Sequence, residues 1–230
     1  MINEKVLYAV ITGDLVQSSQ LEHETREEMI AYLRDSLMFI EDHLQLHDTI
    51  FLPFDIFRGD SFQVVLSKPD RALLASVLLS QRLSLFNEGS KDFAARLSIG
   101  IGTIEYIPDS GNIGEADGVA FRLSGKALDT MKQKGQNLLV TTPNPALNLM
   151  FETQCSFFDL IAGRWTNIQK EIILEKLSGS TQEEIASRHG KSQSTISQSL
   201  KASGFDGVKK FLFNYEHLFE YEDVFVESDK

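Results

Sequence analysis

Two aspartates stand where runs of apolar residues stop, Asp14 in VITGDLVQSS and Asp60 in FRGDSFQVVL. Carboxylates are hard oxygen ligands, and a pair of them at the end of a sheet suits Mg2+ or Mn2+, which in turn holds triphosphate oxygens. Asp14, with Leu15 beside it, and Asp60 are therefore the metal candidates. The segment that follows, Val16, Gln17, Ser18 and Ser19, is polar and turn-like, and its N–H groups are candidates for phosphate contact. Asp is also a favoured turn residue, so a plain turn role for each aspartate stays open. Arg122 and Lys126 lie four apart on an expected helix and share a face. They are candidates for placing positive charge on a triphosphate, with a solvated helix face as the alternative.

A second group of residues lies near the C-terminus, in STQEEIASRHGKSQSTISQSLKASG. Ser180 or Thr181, followed by Glu183 or Glu184, reads as a capping box that opens a short helix. His189–Gly190 makes a sharp turn, and Ser192 caps a further helix over residues 193–202. With Ile185, Ala186, Ile196 and Leu200 turned inward, Gln193, Ser194, Ser197, Gln198 and Lys201 face out as a hydrogen-bonding surface sized for the DNA major groove. Lys191, Lys201, Lys209 and Lys210 are placed to meet phosphates. A preceding helix, TNIQKEIILEKLSG, has Ile168, Ile172, Ile173 and Leu177 as its inward stripe. The pattern reads as a DNA-binding helix-turn-helix, with a three-helix protein-contact unit as the alternative.

The charge distribution agrees with a small nucleic-acid module on an acidic body. The chain of 230 residues has a net charge of −11, unfavourable for binding polyphosphate. Residues 164–210, however, hold eight Lys/Arg against five Asp/Glu, net +3, which leaves −14 on the remainder. Such asymmetry predicts weak binding to DNA by one copy and hence a homodimer. Hydrophobic residues make up 42%, enough for one sizeable core and a satellite. A lone cysteine, Cys155, forms no internal disulfide, and no signal-like or membrane-length apolar segment occurs, so a cytoplasmic protein without membrane contact is expected. Cys155 reads as a packing residue. The helical pair His43 and His47 has metal-compatible spacing but reads as an exposed helix end.

The elements that must position these residues alternate. A continuous apolar strand runs over residues 5–13, and a helix over about 22–47 carries Ile30, Leu33, Leu37, Ile40 and Leu44 on one stripe. FLPFDIF and SFQVVLS flank RGD as a hairpin. A helix opening at Pro69, the strand AARLSIGIGTIEY, a helix around 118–134 and the strand NLLVTT complete the order β-α-β-β-α-β-α-β. Its first six elements predict an α+β, ferredoxin-like palm, with an antiparallel sheet and helices on one face. The expected divisions are a palm over residues 1–142, a connecting helix over 143–163 and the helix-turn-helix with an acidic tail over 164–230.

These motifs also carry a family resemblance. VITGDLVQSS resembles the strand and loop of class III nucleotide cyclases, where an aspartate opens the metal site, and RGDSFQVVL resembles their second metal aspartate and the GGDEF hairpin of diguanylate cyclases. AVITGDLVQS, RGDSFQ, RLSIGIG and DGVAFRLSGKAL, followed by a helix-turn-helix, together resemble the SatD family over most of the chain. Two positions depart from the cyclase pattern: Ser61 replaces an acid of GGDEF, and Gly118 stands where cyclases offer an asparagine four residues before the arginine matched by Arg122. The resemblance implies a nucleotide-binding palm with Mg2+ or Mn2+ joined to a DNA-binding module. An active nucleotidyl cyclase or oligonucleotide synthase, and a degenerate palm used only for dimerisation, remain the alternatives.

Overall fold

A computed structural model of the protein describes residues 6–16, 22–44, 50–57, 61–88, 91–92, 94–221 and 224–225. Strand β1, Tyr8–Leu15, is apolar on both sides of its pleat and lies at the sheet centre. Helix α1, His23–His43, follows, with Met29, Leu33, Leu37 and Ile40 as its buried stripe. Met29 rather than Ile30 opens that stripe. Strands β2, Ile50–Phe57, and β3, Ser61–Leu66, form the expected hairpin. After a 3-10 turn at Pro69–Arg71 comes α2, Ala72–Leu83, then a two-residue ribbon of β4, Asn87–Glu88, and β5, Lys91–Asp92. Strand β6, Ala95–Gly102, helix α3, Val119–Lys134, and strand β7, Leu138–Thr141, complete the sheet.

The five strands are ordered β2-β3-β1-β6-β7. The first four give the βαββαβ arrangement expected, and β7 adds to β6 in parallel, so the sheet is mixed rather than antiparallel throughout. Helices cover both faces rather than one. Ala9, Ile11 and Leu15 of β1 pack with α1 and α2, while Tyr8 and Val10 on the reverse side pack with Ala120 and Phe121 of α3. The cause is legible in β1 itself: Tyr8 and Val10 point one way and Ala9 and Ile11 the other, so both sides of the strand need apolar cover. Gly100 makes the close approach of α3 work, since a Cβ there would lie 2.2 Å from the Ala120 carbonyl oxygen.

Helix α4, Pro145–Ala162, is opened by Pro145 and capped by Asn144, whose side chain accepts from the N–H groups of Ala146 and Leu147. Its inward side chains, among them Phe151, Cys155 and Phe158, join the same apolar cluster as the sheet. Four more helices follow: α5, Asn167–Leu177; α6, Gln182–Arg188; α7, Gln193–Ala202; and α8, Phe205–His217. They are tied to the sheet layer by name. The Tyr215 hydroxyl donates to the Pro69 carbonyl at 2.7 Å, and, within the helical part, the Trp165 indole between α4 and α5 donates to the Ser203 carbonyl at the end of α7 at 2.7 Å. No described helix is long and apolar enough to cross a membrane.

Candidate functional site

Asp14 emerges near the end of β1 on the α3 side of the sheet. Antiparallel register sets it opposite Ser61 of β3 and Arg96 of β6, and directly opposed residues share a face. Two cations meet its Oδ2: Lys132 Nζ at 3.1 Å and Arg96 Nη1 at 3.6 Å. Among the described residues, buried Oδ1 has no hydrogen-bond partner, nor has buried Nε of Arg96. Behind this cluster a polar seam follows the strands inward. Gln63 donates to the Thr12 hydroxyl at 2.8 Å, and that hydroxyl lies 2.9 Å from Ser124 of α3.

The other residues singled out from the sequence fall as follows. Asp60, Gln17, Ser18 and Ser19 lie outside the described residues, so the Asp14–Asp60 pairing and the serine contacts are not placed. Leu15 is buried and paired in the sheet with Ala95. Val16 donates its N–H to the Ala94 carbonyl at 2.8 Å, which removes that N–H as a phosphate donor. Arg122 sits in the first turn of α3, close to where β6 ends. It is held by Glu105 at 2.7 Å and Asp117 at 3.1 Å. Ten residues of helix, roughly 15 Å, separate it from Lys132, so Arg122 is directed away from Asp14. Lys126 is exposed along a shallow cleft with Thr130 and Thr141.

Lys132 and Arg96, which meet Asp14, are the residues of this cluster absent from the sequence-based candidates. A signal for Lys132 existed. Ser124, Leu128 and Lys132 are spaced by four, so Lys132 continues the line of the buried stripe of α3 onto its exposed last turn. Nothing in the local sequence marks Arg96, because its place beside Asp14 depends on strand register. Among the described residues no three His, Cys, Asp or Glu side chains cluster as a metal site. Among the described residues, Oδ1 of Asp14 is an unpartnered carboxylate oxygen of the type Mg2+ or Mn2+ takes.

The C-terminal helices present a different surface. Thr181 and Glu184 form the capping box of α6, Gly190 turns at φ 61°, and the Ser192 hydroxyl accepts from the Thr195 N–H to start α7. The bonds to Thr181 hold the Glu184 carboxyl below its ordinary range. Ile185, Ala186, Ile196 and Leu200 are buried. Gln193, Ser194, Ser197, Gln198 and Lys201 are all exposed, as are Lys191, Lys209 and Lys210. The inward stripe of α5 differs from that expected: Ile168 is 50% exposed, and Leu174 is buried with Ile172 and Ile173. Cys155 is fully buried and its thiol is pushed far up by desolvation, in keeping with packing.

A family model described as the SatD family matches residues 8–217. No curated protein matches. Among solved structures, the active GGEEF domain of a diguanylate cyclase from Vibrio cholerae is similar at 19% identity and a TM-score of 0.40. That likeness spans 57% of this chain and 80% of that one.

Proposed function

The chain belongs to the SatD family, and on that premise we propose that it is a cytoplasmic DNA-binding regulator whose α/β part binds a nucleotide with a divalent metal. The observation that carries the DNA reading is α7, a capped helix whose outward polar side chains are all exposed. We read α6, the Gly190 turn and α7 as a helix-turn-helix, with α7 in the major groove. Gln193, Ser194, Ser197 and Gln198 then meet base edges, and Lys191, Lys201, Lys209 and Lys210 meet phosphates. Selection from random DNA tests this. Gln193→Ala should relax sequence preference, losing about 1–3 kcal/mol of discrimination. Lys201→Ala should weaken all sequences alike and flatten the salt dependence by about one unit of slope. No enriched sequence at low salt would overturn the DNA reading.

The nucleotide reading rests on the Asp14 cluster. Its free carboxylate oxygen fits a Mg2+ or Mn2+ ion, which would neutralise and hold phosphate oxygens. Lys132 is half exposed and able to leave Asp14 for a phosphate, while Arg96 stays in the strand. The same two cations favour a second reading, an active nucleotidyl cyclase or oligonucleotide synthase, because positive charge set where phosphate charge develops is what such transfer needs. Incubating the protein with each nucleoside triphosphate and Mg2+ or Mn2+, then resolving products by chromatography, separates the two readings. Asp14→Asn and Lys132→Met should each abolish metal-dependent nucleotide binding. Equal affinity in both variants would remove the site.

The partner proposed for the acidic body is a second copy. Helix α4 exposes Leu149, Met150, Phe157 and Leu160, which share an arc of about one quarter turn, while Phe151, Cys155 and Phe158 fill the opposite side. A helix apolar on both sides calls for two buried faces. Antiparallel pairing about a two-fold axis would match Leu149 of one copy with Leu160 of the other, the self-complementary contact a dimer requires.

A further inference from the structure

A cleft of about 440 Å3 lies where α2, α4 and α5 meet, lined among others by Gln81, Ser84, Asp159, Trp165 and Lys170. Its size is that of small-ligand sites. Lys170 is only 8% exposed, yet its ammonium makes a single long bond, 3.5 Å, to the Ser84 carbonyl. Three donors and a full charge are thus almost unmet in a buried position, which costs free energy unless something else answers them. Among the described residues no carboxylate pairs with Lys170. The charge stands in the first turns of α5, where N–H groups without intrahelical acceptors add to the positive field.

Asp159 lines the same cleft without pairing with Lys170. Its Oδ2 accepts from the N–H groups of Asn137 at 2.8 Å and Leu138 at 3.4 Å, and among the described residues no donor meets Oδ1. Gln81, 3% exposed, gives its amide N–H to the Ser80 hydroxyl at 3.2 Å and leaves its amide oxygen open. The cleft therefore holds one buried cation and one anion, set apart and each lacking partners, with an amide between helices and an aromatic wall of Phe158 and Trp165.

We propose that this cleft binds a small amino-carboxylate zwitterion, its carboxylate received by Lys170 and the start of α5, its ammonium by Asp159. A phosphate or other pure anion would answer Lys170 but face the Asp159 charge, and a pure cation would do the reverse. Only a molecule carrying both charges completes both residues. The occupant would join α2 of the sheet layer to α5, the helix that leads into α6 and α7, which makes it an effector of the surface presented by α7. The binding itself does not depend on the DNA reading.

Calorimetry on the full chain tests this directly, with glycine, β-alanine and γ-aminobutyrate as zwitterions of increasing charge separation. Acetate and methylammonium serve as the separate halves, with inorganic phosphate as the pure anion. One of the zwitterions should bind saturably, with each half weaker by at least about tenfold. Lys170→Met and Asp159→Asn should each weaken the zwitterion by a similar factor. The melting temperature of Lys170→Met should not fall, since it removes an unmet buried charge from the empty protein. No saturable binding of any zwitterion at millimolar concentration overturns the proposal. So does phosphate or acetate binding as tightly as the best zwitterion, or undiminished binding in both variants.

Discussion

Asp159 shows how one side chain is set by its surroundings. Burial pushes its carboxyl up to about 6, partly offset by the N–H groups of Asn137 and Leu138. A raised carboxyl proton affinity in the folded state means that the folded protein holds the proton to higher pH than the unfolded chain does. The penalty for ionising Asp159 is thus absent at low pH, grows as pH rises from about 4 to about 6, and is full above that. Its size is about 2–3 kcal/mol at neutral pH, from a shift of roughly two units. Asp159→Asn keeps an acceptor for the Asn137 N–H but does not titrate. Urea denaturation of variant and wild type should give a stability difference that moves in favour of the variant between pH 4 and 7. A difference constant across that window would show that Asp159 ionises freely. At Asp14 the lesson is different: two cations from separate elements converge on one carboxylate, and the arginine chosen from sequence spacing faces its own acids instead.

At the scale of elements, α3 and α7 are both held by small local features. Helix α3 lies close on β6 because Gly100 and Gly102 have no side chains, and its C-terminal end closes at Gly135 with φ 68°. Gly100→Ala would drive a methyl group into the backbone of Ala120 and the Ser124 N–H. The helix must then lift, which should cost about 1–3 kcal/mol, read as a lowered midpoint in chemical denaturation. It should also draw Lys132 away from Asp14, so nucleotide affinity should fall with stability. Unchanged stability would mean that the contact between helix and strand is loose. Helix α7 depends on Ser192 at its start. Ser192→Ala should cost about 1 kcal/mol through loss of the cap, and weaken DNA binding more than Thr181→Ala at the start of α6.

For the molecule as a whole, one apolar cluster runs from β1 through α2 and α4 into α5, α7 and α8, so the basic helices ride on the acidic body. On the proposed DNA reading, that body would repel DNA and a single α7 would offer only a small contact. Pairing through α4 would supply two copies of α7 without changing either. Phe157→Glu places a charge in the proposed interface at a position already 61% exposed, so the fold should survive. Light scattering should then report a monomer for the variant and the proposed dimer for the wild type, and DNA affinity should drop with the loss of pairing. A wild type that is monomeric at micromolar concentration, or a variant that still dimerises, would exclude α4 as the interface.

The elements themselves were legible in the residues. Leu33, Leu37 and Ile40 of the inward stripe of α1, the strands β2 and β3, and the bounds of α7 at Gln193 and Ala202 follow from periodicity and caps, which act within a few residues. Which helix covers which face did not follow. Pairing of β7 with β6, the position of α3 behind β1 and the burial of Leu174 in place of Ile168 depend on contacts between segments far apart in the chain. The same holds for the chemistry. Asp14 was visible as the acid that ends an apolar strand, and the exposed face of α7 as a run of polar residues between buried ones. Arg96 and the cleft of Asp159 and Lys170 became visible only once register and packing had brought side chains from different elements together, and Lys132, legible by its spacing on α3, gained its partner only there. Sequence spacing measures distance along one helix or strand, and a site that charges build between elements has no such spacing to read.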